Sequence, residues 1–169
     1  MDLITALAVS IGVLGGIATY VLLSPIGFGL QIWAAFIAWA TFYHCGGKEA
    51  GLSKTLIHTL FGAVMALIML LLATQIPLAG SIGLPLWAGI CVLITVFILV
   101  IAAKSPMLSD IPASVLGYAA VAGFALAGGK LDVTAITMSN PFINIAISLI
   151  VGAVLGYISE KAAGMMVKA

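Results

Sequence analysis

Histidine is the side chain in this sequence best suited to proton or metal chemistry. His58 lies about one turn inside an apolar stretch, where its imidazole can line an aqueous path, exchange a proton near neutral pH or bind a metal. The ring can equally reach back along the helix to water. His44 and Cys45 end the preceding apolar stretch, but no spacing places them on one metal with His58. We therefore predict no metal site.

Two amides and two aromatic rings are the other candidates for contact with a small molecule. Asn140 and Asn144 lie one helical turn apart, although Asn140 before Pro141 also has the pattern of an ordinary helix start. Trp33 and Phe36 share a helical face, which can form an aromatic constriction or pack against a neighbouring helix. The sequence thus gives a candidate polar lining of His58, Asn140 and Asn144 and a candidate constriction of Trp33 and Phe36.

The groups needed for enzymatic chemistry are missing from the apolar stretches. No Asp, Glu, Lys or Arg lies within them, so there is no carboxylate relay of the kind used by proton-driven pumps. No nucleophile elbow, glycine-rich phosphate loop or HExxH motif occurs. We predict no catalytic residue and no cofactor, and therefore no enzyme.

The composition indicates that hydrocarbon surrounds most of the chain. Of 169 residues, 64% are hydrophobic and 7% are charged, whereas soluble domains have about 25% charged residues. The formal net charge of +1 offers no basic surface for nucleic acid. We therefore predict a lipid bilayer as the main partner and exclude a nucleic-acid role.

Six apolar runs have the length of membrane-spanning helices, because a helix of about 20 residues crosses a bilayer. In lipid, backbone groups must find partners within their own segment, which excludes isolated strands. The sequence therefore predicts one all-α integral membrane domain over residues 1–169, a polytopic transmembrane bundle of about six helices. The predicted spans are residues 3–23, 26–43, 56–74, 84–103, 111–128 and 141–159.

The lysines predict how the chain is oriented. With six crossings both termini share a side, and five lysines lie on that side, whereas Lys130 alone lies opposite. The positive-inside rule then places both termini in the cytoplasm. The five are Lys48, Lys54, Lys104, Lys161 and Lys168.

Glycine spacing predicts where helices pack closely, because small residues let backbones approach in lipid. The first run has GxxxG spacing and so has the sixth, while the fifth is rich in Gly and Ala. We expect these three helices to form the interior and the third and fourth to face lipid or other subunits, in a homo-oligomer. The packing glycines are Gly12, Gly16, Gly117, Gly123, Gly152 and Gly156.

Two short motifs recur and suggest an internal repeat. The pattern FxxxGGK ends the second run at Phe42–Lys48 and the fifth at Phe124–Lys130. The following helices carry Phe61-Gly-Ala-Val64 and Val151-Gly-Ala-Val154. Two repeats of three spans each would have opposite orientations, as in many transporters and channels. Chance is the rival explanation, since the chain has nineteen glycines.

Several longer pieces of the chain resemble a known family. They are Gly12–Gly16, Trp33–Phe42, Gly46–Lys54, Leu116–Ala119 and Gly152–Glu160, and the likeness covers most of the chain. Together they resemble the YcdZ-like bacterial inner-membrane proteins, filed as domain of unknown function 1097. The resemblance implies a small multi-span protein of the bacterial inner membrane, without an established substrate or site.

Two functional hypotheses follow from these features. The first is a channel or facilitative transporter for a small, uncharged or weakly charged solute, as indicated by the possible repeat and the absence of embedded charge. The second is an accessory or scaffolding subunit that oligomerises through its GxxxG faces. Stable co-purification with another protein would favour the second hypothesis.

Overall fold

The chain is mostly helical in the part that the computed structural model describes, residues 1–129 and 132–167. Within these residues there are seven α-helices and no strand. The helices are α1 (Leu3–Leu23), α2 (Ile32–His44), α3 (Lys48–Gln75), α4 (Ala79–Ile82), α5 (Leu84–Ile101), α6 (Ile111–Ala127) and α7 (Pro141–Met166). Three 3-10 turns lie between them, at Pro25–Gly27, Ala102–Lys104 and Pro106–Leu108.

Among the residues that the structure describes, four helical segments are long and apolar enough to cross a membrane. They are α1, α3, α7 and the segment Leu84–Lys104, which joins α5 to its 3-10 turn. The prediction of an all-α bundle is confirmed, and the chain is a membrane-embedded helical protein. The count of six is approximate, because α6 has 17 residues and α2 has 13, which extends about 20 Å against about 30 Å of hydrocarbon.

The second predicted run is not one continuous helix, and this part of the prediction is wrong. Pro25 opens a 3-10 turn, and the next residues, Phe28 and Gly29, have φ values of 53° and 75°. A left-handed backbone cannot continue a right-handed helix, so α2 begins only at Ile32. Elsewhere the helices agree with the apolar runs, although α3 and α7 extend beyond them into polar sequence.

Polar side chains fix the starts of three helices. Asp2 accepts hydrogen bonds from the amide (3.0 Å) and hydroxyl (2.6 Å) of Thr5, which lower the pKa of its carboxyl group. Asp110 accepts from the amide of Ala113 at 3.1 Å. Asn140 accepts from the amide of Phe142 at 2.9 Å, so the predicted N-cap before Pro141 is confirmed.

The helices belong to two compact units. The first unit comprises Met1–Leu56 and Ile147–Ala169, and the second comprises Ile57–Ala146. Thus α1, α2 and most of α7 lie in the first unit, whereas α5, α6 and most of α3 lie in the second.

Each unit contains one very close helix crossing built on glycine. In the first unit, Gly152 of α7 lies against the backbone of Ala35 in α2. In the second unit, Gly62 of α3 lies against the backbone of Ser114, and Gly117 of α6 lies against that of Thr59. A side chain at any of these three glycines would collide with the backbone of the opposite helix. Close backbone approach through glycine is the way that helices associate in lipid.

The predicted packing glycines divide into two groups. Gly117, Gly152 and Gly156 contact another helix, and an added Cβ at Gly156 would lie 2.9 Å from the Phe42 ring. Apart from the backbone of their own helices, no heavy atom of the described residues lies within 4 Å of the Cβ position at Gly12, Gly16 or Gly123.

The expected division into interior and peripheral helices is wrong for α1 and α3. In the most apolar part of each helix, 44% of the residues of α3 are buried, compared with 22% of the residues of α1. Glycine spacing indicates that a face permits close approach, but the partner need not belong to the same chain.

Two lysines used to predict orientation, Lys130 and Lys168, lie outside the described residues.

Candidate functional site

A stripe of polar and small residues follows one face of α7 from the residue that precedes the helix. Its members recur about once per helical turn, and all are buried. In a helix that is otherwise apolar, such a stripe concentrates the hydrogen-bonding groups on the face turned toward other helices. We call it the α7 stripe; it consists of Asn140, Asn144, Ser148, Gly152, Gly156 and Ser159.

The middle of the α7 stripe contacts the start of α2. The hydroxyl oxygen of Ser148 accepts a hydrogen bond of 2.9 Å from the backbone amide of Gln31, the N-cap residue of α2. The Gln31 side chain makes no capping bond and instead donates to the carbonyl of Gly29 at 2.7 Å. Ser148 therefore supports the start of α2 from a different helix.

The end of the α7 stripe joins α7 to α2 through Ser159. This hydroxyl donates to the carbonyl of Gly156 at 2.7 Å and accepts from the indole N–H of Trp39 at 2.9 Å. Tyr43 lies 2.7 Å from the same oxygen. Because the one proton of Ser159 is already used, Tyr43 must donate to it. A single buried hydroxyl therefore serves two aromatic donors.

Charged residues collect at the polar end of the first unit. Glu49 accepts from the ammonium group of Lys161 at 2.9 Å and from the hydroxyl of Tyr157 at 2.8 Å. The Glu160 carboxylate accepts from the backbone amide of Lys48 at 2.7 Å. Positive φ values occur at three successive residues, Gly46, Gly47 and Lys48. In such a turn the backbone N–H groups can donate hydrogen bonds to a carboxylate. Glu160 thus supports the first turn of α3 from α7.

The second unit has its own buried polar contact, between α5 and α6. Thr95 donates to the carbonyl of Cys91 at 2.8 Å, and its oxygen lies 3.0 Å from the hydroxyl of Tyr118. Tyr118 must therefore be the donor to Thr95. On α3, His58 and Thr59 are also buried, on the face that carries Gly62.

The predicted polar lining residues are all buried, and Asn140 has a clear structural role. Its side-chain NH₂ group donates to the carbonyls of Val133 and Ala135, each at 2.9 Å, while its oxygen caps α7. Asn144 donates to the carbonyl of Met138 at 3.2 Å. His58 and both asparagines lie in the second unit. Their contact with a solute stays a prediction.

The predicted aromatic constriction lies in the first unit and has a different environment. Trp33 is 40% exposed and Phe36 is 42% exposed. The indole N–H of Trp33 donates to the Gln31 side chain at 3.1 Å, and the Phe36 ring stacks on Trp39 with centroids 5.6 Å apart. Phe36 also lies 3.4 Å from the Cβ position of Gly15 in α1. The constriction likewise stays a prediction.

The second unit also contains a pocket of about 310 Å³ between the ends of α3 and α6 and the start of α5. The residues that line this pocket carry no charge. Thr74 is among them, and its hydroxyl group donates to the carbonyl of Leu70 at 2.8 Å. Within the described residues, no three His, Cys, Asp or Glu side chains are grouped so as to hold a metal ion. The arrangement offers neutral hydrogen-bonding groups and apolar walls.

Sequence reasoning missed three residues that link helices: Ser148, Ser159 and Glu160. The two serines were detectable, because the one-turn spacing of the α7 stripe is visible in the sequence. Glu160 had no comparable signal, since its partner amide lies far away along the chain.

Comparison with known proteins gives one match. A family model described as Protein of unknown function (DUF1097) matches residues 8–164, and the predicted resemblance is confirmed. No curated protein and no solved structure matches the chain.

Proposed function

The chain belongs to the family described as Protein of unknown function (DUF1097), and we propose that it is a channel or facilitative transporter for a small, uncharged or weakly charged solute. The proposal is supported by three features: an internal repeat, an interrupted second helix and buried polar groups without charge in the apolar helices.

The repeat is supported by corresponding turns. Ser24-Pro25 and Ser105-Pro106 each open a 3-10 turn that precedes the second helix of a repeat, α2 or α6. Each of those helices ends at a Gly-Gly pair, and Gly47 and Gly129 both have positive φ. A long third helix follows in both repeats, α3 of 28 residues and α7 of 26.

The glycine crossings correspond as well. Alignment of the two FxxxGGK motifs pairs Ala35 with Gly117, and alignment of FGAV with VGAV pairs Gly62 with Gly152. Gly62 lies against α6 next to Gly117, and Gly152 lies against Ala35. In each unit, therefore, the third helix of one repeat crosses the second helix of the other at matching positions. A chance repetition of glycines gives no reason for matching contacts.

We propose that the two repeats are inverted in the bacterial inner membrane, with both termini in the cytoplasm. Three crossings in each repeat give the second copy the opposite orientation. Among the described lysines, Lys48, Lys54, Lys104 and Lys161 all fall on the side of the termini in this topology. The charged cluster around Glu49 would then lie at the cytoplasmic surface.

The interrupted second helix is the observation that carries the proposal. At about 20 Å, α2 is too short for the hydrocarbon, and the irregular residues before it would lie at membrane depth. Irregular backbone is tolerated there where protein or a water-filled cavity surrounds it. Short or interrupted helices are typical of solute pathways in transporters that are built from repeats, and α2 has this feature.

We also propose that the chain is not an enzyme. Trp39, Tyr43 and Ser159 saturate one another, and Tyr118 is engaged with Thr95. These hydroxyl groups join helices and are not arranged as a nucleophile with its base.

An accessory subunit is the second candidate, and the exposed Gly12 and Gly16 of α1 favour it. Their GxxxG face has no partner within the described chain, which leaves it available to another subunit. Cross-linking and native mass analysis separate the candidates. A stable complex with a different protein supports the accessory role, and a symmetric homo-oligomer supports the pathway.

Solute flux into proteoliposomes tests the proposed function. We expect the purified protein to raise the permeability to at least one neutral solute, such as water, glycerol or urea. We expect Asn144→Ala and His58→Ala to change that permeability about tenfold, since a change of ~1.4 kcal/mol in the barrier gives this factor. Leu93→Ala, on an exposed face of α5, is the control and should leave it unchanged. If neither the protein nor these variants alters permeability, the pathway is disproved.

A further inference from the structure

We propose that the start of α2 is a gate on the solute path, latched by the hydrogen bond from the Gln31 amide to the Ser148 hydroxyl. This inference rests on the proposed function, and it adds which part of the chain moves. Three observations carry it: an irregular segment with a strained residue, a helix start without its own cap, and a capping hydroxyl supplied by α7.

The segment between α1 and α2 is folded back tightly on itself. The amide of Gly27 donates to the carbonyl of Ser24 at 2.9 Å, and the Cα of Gly27 faces the backbone of Leu22 so closely that no side chain fits there. The next residue, Phe28, has a φ of 53° and is 77% exposed. A left-handed conformation is unfavourable for a bulky residue, because its Cβ approaches the following carbonyl oxygen. The segment thus holds strain that neighbouring contacts must offset.

The start of α2 has no cap of its own, in contrast to α6. In α6, Asp110 accepts from the amide of Ala113 at 3.1 Å, and Ser114 donates to the carbonyl of Asp110 at 3.1 Å. All these groups lie within two turns of the same helix. These two hydrogen bonds are therefore kept when α6 moves as a whole. Gln31 provides no such cap for α2. At the start of α2 the accepting side chain comes from a different helix, α7.

Ser148 is suited to be the fixed half of the latch. It is fully buried and lies one turn from Gly152, where α7 is in backbone contact with α2. The backbone contact of Gly152 with Ala35 holds α7 and α2 together at their crossing, so we expect movement in the part of α2 before it. Release of the Gln31 amide from Ser148 would let the first turn of α2 and the segment before it swing away from α7.

Amide hydrogen exchange together with flux tests the latch. In Ser148→Ala we expect exchange at Gln31 to be about tenfold faster, the factor given by ~1.4 kcal/mol. We expect solute permeability to rise as the gate stays open longer. Ser148→Thr keeps the hydroxyl and should restore slow exchange and wild-type flux. Ser114→Ala, the serine at the start of α6, is the matched control and should leave exchange in α2 unchanged.

Each outcome separates the latch from the proposed function. Unchanged exchange at Gln31 in Ser148→Ala overturns the latch. Faster exchange with unchanged flux overturns the gate, because the bond would then be purely structural. If wild type and all variants pass no solute, the proposed function fails, and the exchange rates alone decide whether the latch exists.

Discussion

Replacement of Gly117 by alanine is expected to unfold the second unit. The added Cβ would occupy the position of the Thr59 carbonyl group on α3. Because the obstacle is backbone and not the end of a flexible side chain, α3 and α6 would have to separate along their whole crossing. We expect a loss of more than about 4 kcal/mol in the free energy of unfolding, which places this variant among the most damaging single substitutions.

Gly123→Ala is the control for this prediction, because Gly123 lies in the same helix and, apart from the backbone of that helix, no heavy atom of the described residues lies within 4 Å of its Cβ position. Alanine is the better helix former by about 0.5–1 kcal/mol, so this variant should be as stable as wild type or slightly more so. Thermal unfolding in detergent, followed by circular dichroism, measures both. Equal melting temperatures for the two variants would contradict the close crossing of α3 and α6.

Ser159→Ala is expected to have the second-largest effect. Alanine leaves the indole N–H of Trp39 and the hydroxyl of Tyr43 without their common acceptor. A buried donor left unsatisfied costs about 1–3 kcal/mol, so we expect a loss of stability in this range from the buried Trp39, to which the half-buried Tyr43 adds a smaller amount.

Ser10→Ala is the matched control for Ser159→Ala. Ser10 is also buried, but its hydroxyl donates to the carbonyl of Leu7 within its own helix. Its removal should cost less than about 1 kcal/mol, since it leaves no distant donor unsatisfied. Denaturant unfolding of the detergent-solubilised protein measures both variants. A loss as small for Ser159→Ala as for Ser10→Ala would show that Ser159 does not join α2 to α7.

Most of the fold followed from hydropathy, because helix length and composition are local properties of the sequence. The run 3–23 coincides with α1, and the runs 84–103 and 111–128 lie close to the helical segments observed. The break before α2 could not be predicted in the same way. It depends on Phe28 in a left-handed conformation, which local preferences assign to glycine or asparagine.

The candidate site was less predictable, because its hydrogen bonds join residues far apart in sequence. Serine and threonine in apolar helices often donate to a carbonyl in their own helix, as Thr41 does to Ile37 at 2.7 Å. The spacing of the α7 stripe places Ser148 and Ser159 on one side of the helix, but nothing in the local sequence shows that they accept hydrogen bonds from α2. In the same way, GxxxG spacing did not distinguish Gly152, which meets another helix, from Gly12, which does not.

The repeat could be suspected from sequence but gained support only from contacts. FxxxGGK and FGAV are short motifs in a glycine-rich chain, and they carry no information about partners. The pairing of Gly62 with α6 and of Gly152 with α2 adds three-dimensional agreement to the sequence match. Inversion of the two copies depends further on the number of crossings, which must be measured.

Cysteine labelling across the membrane tests the six-crossing inverted topology most directly. In a background with Cys45→Ser and Cys91→Ala, single cysteines are placed at exposed positions and treated with a maleimide that does not cross membranes. Labelling in intact spheroplasts is compared with labelling in inverted vesicles. The positions lie before α2, at its end, and in the connections before and after α6, and they are Phe28→Cys, His44→Cys, Met107→Cys and Ile136→Cys.

The account predicts that Phe28→Cys and Ile136→Cys are labelled only in spheroplasts, and that His44→Cys and Met107→Cys are labelled only in inverted vesicles. This pattern requires α2 to cross the membrane despite its 13 residues, and it gives the two repeats opposite orientations. Labelling of Phe28→Cys and His44→Cys from the same side would contradict the account, because α2 would then not cross and the inverted repeats would not exist.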